Sequence, residues 1–254
     1  MTRTHSQASG LARKLASLGA QPIELPVIKI SREVSKETLA DVMLEFGSYS
    51  WLVFTSANGV RYFFEEFFKL FEDIRALGAL KIACIGEGSA RGLQDMHLKV
   101  DCLPKLATGV ELARALAQSG SLENEKVLVI TGNLNRDVLV KTLEGFGAIV
   151  DCLQVYKTQR TDLSAHPGAD AFRSRGADAV LFASSSAAQF FFDQGDGLRL
   201  GPGATRPIFG SIGPQTSATM KSCGIPIAFE AKKPGFDGLV EGLVCYFAPS
   251  PQKK

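Results

Sequence analysis

Residues 51–65 read WLVFTSANGVRYFFE and residues 179–193 read AVLFASSSAAQFFFD. Each opens on four apolar residues, turns at a serine and continues into an aromatic-rich helical stretch, and the two align without a gap at a separation of 128 positions. Two further pairs keep the same order. KIACIGEGSARGLQDMHLKVDCLP, from Lys81, lies over PIFGSIGPQTSATMKSCGIPIAFE, from Pro207, with Ile85-Gly86 over Ile212-Gly213. Thr2–Ile28, carrying LGAQPIELPVI, lies over Ile130–Tyr156, carrying FGAIVDCLQVY. Three ordered matches at nearly one offset imply a tandem duplication.

Within each copy, short apolar and mostly β-branched runs alternate with helical patterns. KVLVI at 126–130, IVDCLQVY at 149–156, AVLF at 179–182 and IFGSI at 208–212 read as buried parallel strands. DVLVKTLEGFG and VELARALAQSG carry apolar residues at helical spacing and end on glycine. Such alternation predicts two α/β domains, each a parallel sheet with helices on both faces. The repeat is incomplete at one point. KVLVITG opens the second copy, but at the same offset the first copy begins at Met1, so the sequence predicts a first strand whose beginning is missing and a natural chain that starts further upstream.

Composition excludes several classes. At 254 residues with 45% hydrophobic and 21% charged residues, the chain falls among ordinary globular proteins. Basic residues number 28 against 26 acidic and alternate with them, so no nucleic-acid partner is expected. No apolar run has the length of a membrane span, and MTRTHSQASG lacks a signal core, so a soluble intracellular protein with no membrane partner is expected. The five cysteines have no CxxC spacing, which points to core thiols in a reducing compartment. His5, His97 and His166 are isolated, so no metal site is expected. GEGSARG at 86–92 misses the dinucleotide fingerprint, no P-loop occurs and Ser185 lacks a GxSxG elbow, so neither a nucleotide cofactor nor a hydrolase is indicated.

In open parallel sheets ligands bind beyond the carboxyl ends of the strands. The residues there are Thr55-Ser56-Ala57-Asn58, Gly86-Glu87-Gly88-Ser89, Thr131-Gly132-Asn133, Ser184-Ser185-Ser186 and Gly213-Pro214-Gln215-Thr216. Each turn by itself reads as a helix cap; five together read as donors to an anion. Tyr156, closing IVDCLQVY before KTQRT, has two readings: a packed ring, or a phenol serving as proton donor. The aromatic stripe Tyr62-Phe63-Phe64 with Phe67-Phe68 reads as a core face.

Taken together, TRTHSQASGLARKLASLGAQPIELPVIKI, FTSANGVRYFF, IACIGEGSARGL with VDCLP, VLVITGNLNRDVL through FGAIVDCLQVYKT, and SIGPQTSATM with PGFDGLVEGL resemble the uroporphyrinogen-III synthase family over nearly the whole chain. The resemblance implies a cofactor-free enzyme that closes linear hydroxymethylbilane into a macrocycle, losing water and inverting ring D through a spiro intermediate. It implies two flavodoxin-like, doubly wound parallel-sheet domains with swapped first βα units, joined by a two-stranded antiparallel β-linker, with the site in the cleft between them. On this sequence the first domain would be 1–24 with 161–254, the linker strands 25–31 and 153–160, and the second domain 32–152. By resemblance Tyr156 is the catalytic acid. Arg3, Ser56, Asn58, Ser89, Gly132, Asn133, Lys157, Ser184, Gly213 and Thr216 would meet a substrate bearing eight carboxylates. Arg61 and Arg136 are further candidate carboxylate partners, and Glu87 would face such a substrate awkwardly. A monomer is expected, with transient contact to the preceding pathway enzyme. PKLATGVELARAL resembles plastid relatives, so the compartment is the cytoplasm, or the plastid stroma if a leader is missing. Two alternatives stand beside this reading: a duplicated module that binds an anion without catalysis, and an inactive domain cut from a larger porphyrin-pathway fusion.

Overall fold

A computed structural model describes residues 5–134, 137–233 and 235–248. In chain order the elements are α1 His5–Ser17, β1 Ile28–Arg32, α2 Lys36–Leu44, β2 Trp51–Phe54, α3 Ala57–Leu70, β3 Lys81–Cys84, α4 Glu87–Gln94, α5 Gly109–Ser119 and β4 Lys126–Gly132. They continue with α6 Val138–Gly145, β5 Ile149–Arg160, α7 Pro167–Arg175, β6 Ala179–Phe182, α8 Ser185–Phe192, β7 Ile208–Ser211, α9 Pro214–Ser222, β8 Phe229–Glu230 and α10 Phe236–Phe247. The chain is an α/β protein built on parallel sheets, divided into two compact units: Met1–Lys29 with Gln159–Lys254, and Ile30–Thr158. The strand expected before α1 falls on residues 1–4 and so lies outside the described residues.

In the unit Ile30–Thr158 the strands lie in the order β1-β5-β4-β2-β3, and β3, β2, β4 and β5 run parallel to one another. An isolated parallel bridge from Ala83 to Cys102 extends the sheet beyond β3. Every residue of β2 is buried, so its two faces are distinct cores. Leu52 and Phe54, with Leu128 and Ile130 of β4, pack under Phe63 and Phe67 of α3; Trp51 and Val53 pack under Leu112 and Leu116 of α5 and Leu143 of α6. Helices therefore cover both sides, as a parallel sheet requires. β1 meets β5 through Glu33 N–H to Val155 O and Thr161 N–H to Val27 O, an antiparallel pairing. Pro26, which has no N–H to give to a ladder, stands just before this strand.

The other unit holds the parallel strands β6-β7-β8. Leu11 and Leu15 of α1 and Leu239 and Val240 of α10 pack with Leu181 on one face, while Phe182, Phe191 and Phe209 form an aromatic cluster.

The duplication extends to backbone detail. Gly19 and Gly147, one repeat apart, have φ of 84° and 86°, a left-handed conformation in which glycine carries no Cβ penalty. Around them the same bonds recur: Ala20 N–H to Leu15 O, and Ala148 N–H to Leu143 O. Ser56 caps α3 by accepting from Gly59 N–H at 3.0 Å, and Ser184 caps α8 by accepting from Ala187 N–H at 3.2 Å.

All five cysteines are free. Cys84, Cys102 and Cys223 are buried as expected of core thiols, whereas Cys152 and Cys245 are exposed. Burial pushes the Cys84 thiol up to about 11, so it stays protonated. No described helix is long and apolar enough to cross a membrane.

Glu66, on the buried side of α3, is a charge placed inside a hydrophobic neighbourhood. Burial by itself would raise its carboxyl, but hydrogen bonds from Lys69 and Arg32 outweigh that and hold it below the usual range. Because the native pKa lies below the unfolded value of about 4.3, the pairing stabilises the fold fully above that pH and is lost as pH falls through the native pKa. Glu66→Gln is expected to cost about 1–2 kcal/mol at neutral pH, its partners being half in water, with the gap closing below about pH 4. Thermal melts of both proteins across pH 3–8 check this; a gap that persists in acid would contradict it.

Candidate active site

Tyr156 sits where the β4–β5 ladder slips. The register runs Thr131 to Gln154 and then Gly132 to Tyr156, so Val155 is an extra residue. Strict alternation would send Val155 and Tyr156 to opposite faces of the sheet; the bulge lets both pack against the core under α3. Bulges of this kind often re-aim a side chain beside a functional site.

Three neighbours then fix the phenol. Its ring lies over Gly132, where a Cβ would overlap ring carbons Cζ and Cε2. The ring stacks on Tyr62 of α3, with centroids 6.1 Å apart and planes 23° from parallel, and the Arg61 guanidinium covers the Tyr62 ring at 4.5 Å. The hydroxyl lies 3.0 Å from Ser56 Oγ. Burial raises the Tyr156 pKa and the hydrogen bond shared with Ser56 partly opposes it, so the phenol is protonated at neutral pH.

Asn133 serves this arrangement from behind. Its backbone N–H reaches Tyr156 O, its side-chain Nδ2 donates to Thr158 O at 3.1 Å, and Oδ1 accepts from Thr158 N–H at 2.7 Å. The amide thus replaces a strand neighbour where β4 has ended. Lys157 points elsewhere and pairs with Glu33 at 3.4 Å. Asn58 is half-buried in the first turn of α3, and Ser89 is buried on α4. Arg61 is exposed and bonded to Glu65 at 3.0 Å. Arg3 and Arg136 lie outside the described residues.

In the other unit, Ser184 follows β6, and its Oγ lies 3.3 Å from Ser186 Oγ. Gly213 follows β7, where its N–H donates to Ser211 Oγ and its carbonyl accepts from the same hydroxyl. Gly213 and Gly86 precede α9 and α4 without any side-chain cap, whereas α3 and α8 have serine caps. Thr216 is buried in the first turn of α9. An open hollow of about 700 Å³ lined by Arg173, Arg175 and Arg199 contains none of these residues. Among the described residues no group of three or more His, Cys, Asp or Glu stands together as metal ligands would.

A family profile described as uroporphyrinogen-III synthase HemD matches residues 9–241. The chain belongs to the uroporphyrinogen-III synthase family. Membership makes it a cyclising enzyme of tetrapyrrole synthesis. The uroporphyrinogen-III synthase of Synechococcus elongatus is 27% identical over 249 residues, covering 94% of this chain and 91% of that one; that of Chlorobaculum parvum is 23% identical, covering 89% of each. A longer relative, the porphyrin biosynthesis protein HemD of Ruminiclostridium josui, is 31% identical over 158 residues, which span 62% of this chain and 31% of that protein. In fold the chain is similar to a mutant uroporphyrinogen III synthase from the extremely thermophilic bacterium Thermus thermophilus, with a TM-score of 0.67 at 17% identity, covering 97% of this chain and 98% of that one. It is also similar to uroporphyrinogen-III synthetase from Helicobacter pylori, with a TM-score of 0.61 at 22% identity, covering 85% and 89%.

The phenol, Ser56, Gly132 and Asn133 come together within one unit of this enzyme, as parts of one construction around Tyr156. Sequence reasoning missed Tyr62, because an aromatic at helical spacing signals a core face, and it is one: 6% exposed, with only its ring turned to Tyr156. It also missed Thr158, whose only signal was its place in the polar tail after the strand.

Proposed function

We propose that this chain converts hydroxymethylbilane to uroporphyrinogen III with Tyr156 as the general acid. The carrying observation is the Tyr156 phenol, opposite the last residue of β4, held 3.0 Å from the helix-capping hydroxyl of Ser56. Hydroxide is a poor leaving group, so the C–O bond of the hydroxymethyl arm breaks as the phenol proton passes to its oxygen and the pyrrole nitrogen lone pair takes up the electron demand; water departs. The substituted end of ring D attacks the exposed methylene carbon to form the spiro centre, and rearrangement with proton loss gives the inverted macrocycle and restores the phenol. Much of the rate then comes from holding a flexible chain in the spiro-forming geometry, since the free substrate closes unaided to the uninverted isomer.

The eight carboxylates would be met by the helix starts in both units, around Ser56 and Ser89 in one and Ser184, Gly213 and Thr216 in the other. Arg3 would add charge, and Lys157 would exchange Glu33 for a substrate carboxylate, a low-cost change for a surface pair. In the same reading the chain is a swapped duplication of flavodoxin-like domains on a two-stranded linker, 25–31 and 153–160. The order β5-β4-β2-β3 followed by the Cys102 bridge supports it, because counted from β4 as first strand it runs 2-1-3-4-5.

Hydrogen exchange with and without uroporphyrinogen III tests whether the helix starts of each unit meet the ligand. Slowed exchange is expected at the amides opening α3, α4, α8 and α9 together; protection confined to one unit would overturn it.

A further inference from the structure

We propose that Ser56 is the positioning residue of Tyr156: it donates its hydroxyl proton to the phenol oxygen and so leaves the phenol's own proton free for the substrate. The inference rests on Tyr156 acting as the acid.

It follows from counting protons and lone pairs. A serine hydroxyl has one proton and two acceptor positions. Capping α3 uses one acceptor, since Gly59 N–H donates to Ser56 Oγ at 3.0 Å. Among the described residues the remaining partner at hydrogen-bond distance is Tyr156 Oη, at 3.0 Å. If the phenol donated to Ser56, its proton would be spent inside the protein and the serine proton would face no acceptor among the described residues. If Ser56 donates, the cap and the serine proton are both satisfied, and the phenol keeps a proton and a direction in which to give it. The same donation steadies the phenolate that forms once the proton has left.

The duplicate supplies an internal comparison. Ser184, one repeat later, makes the same cap to Ala187 N–H, yet its hydroxyl meets Ser186, and the position matching Tyr156 is Ile28. The serine cap is common to both units; the serine–phenol pair belongs to one. Ser56 has therefore acquired a second task beyond the cap. Gly132 and the Tyr62 ring hold the phenol at the angle this task needs.

Two measurements decide it. With 3-fluorotyrosine replacing the four tyrosines, fluorine NMR follows each phenol's titration, and the Tyr156 signal is assigned by its absence from Tyr156→Phe. Ser56→Ala is expected to move the Tyr156 titration to higher pH, because the phenolate loses a donor, and Ser56→Thr to return it. A shift to lower pH would mean that the phenol donates to Ser56 and would overturn the proposal. In steady-state formation of isomer III, Ser56→Ala is expected to lower kcat about tenfold with KM within about twofold, with recovery in Ser56→Thr. Added to Tyr156→Phe, Ser56→Ala should cost nothing further; an equal loss in that background would make Ser56 a substrate contact or a fold element only. The melting-temperature loss of Ser184→Ala gives the cost of a missing cap, against which that of Ser56→Ala is compared. Full activity of Tyr156→Phe would instead remove the acid reading and the catalytic half of this proposal.

Discussion

Tyr156→Phe is expected to lower kcat for formation of isomer III by about 10²- to 10⁴-fold, the usual contribution of one well-placed acid, equivalent to about 2.7–5.5 kcal/mol in the barrier. The substitution keeps the ring, so its stacking on Tyr62 and its contact with Gly132 survive, and the melting temperature should change little. KM should also change little, because the phenol acts in the transition state while other groups hold the substrate. Turnover should persist above the spontaneous rate, since positioning remains. The pH profile carries the same signature. An acid works in its protonated form, present below its pKa; with the Tyr156 pKa raised, kcat should hold through the ordinary tyrosine value of about 10 and fall only as pH rises above it. A wild-type kcat that falls well below pH 10 and a variant of unchanged kcat would each count against the role.

Gly132→Ala is expected to be nearly as damaging to activity and more damaging to stability. The new methyl would occupy space held by Tyr156 Cζ and Cε2, and the ring has no easy retreat: Tyr62 lies on α3, and the register slip fixes the backbone of β5. Overpacking of this kind costs about 1–3 kcal/mol. The relief open to the protein is to swing the phenol away from Ser56, which removes the acid from its place. Melting curves and isomer III kinetics on the one variant check both parts. A stable, fully active Gly132→Ala would show that the ring does not lie over position 132.

How legible this was in the letters depends on how local each feature is. The serine caps at 56 and 184, the glycines at 19 and 147 and the strands 126–130 and 179–182 follow from short-range rules, so the repeat and the α/β architecture could be read directly. The slip between Thr131 and Gly132 could not, because nothing in TGNLN marks it; it arises from how two strands, separated in sequence by the whole of α6, pack their side chains. Asn133 read as a turn residue offered to a ligand, but its amide is engaged at both ends by Thr158, a partner visible only once β5 is laid beside β4. Lys157 read as a free cation until Glu33 was brought opposite it. Cys152 read as a core thiol from its apolar neighbours, yet alternation along β5 turns it outward.

The most direct measurement is an assay of the purified chain with freshly generated hydroxymethylbilane, the products oxidised and uroporphyrins I and III separated and counted against a protein-free control. Predominant isomer III, formed faster than the control closes, is the result predicted here. Isomer I alone at the control rate, from a sample whose melting curve shows it folded, would contradict the synthase reading and leave a chain that binds its anionic ligand without turning it over.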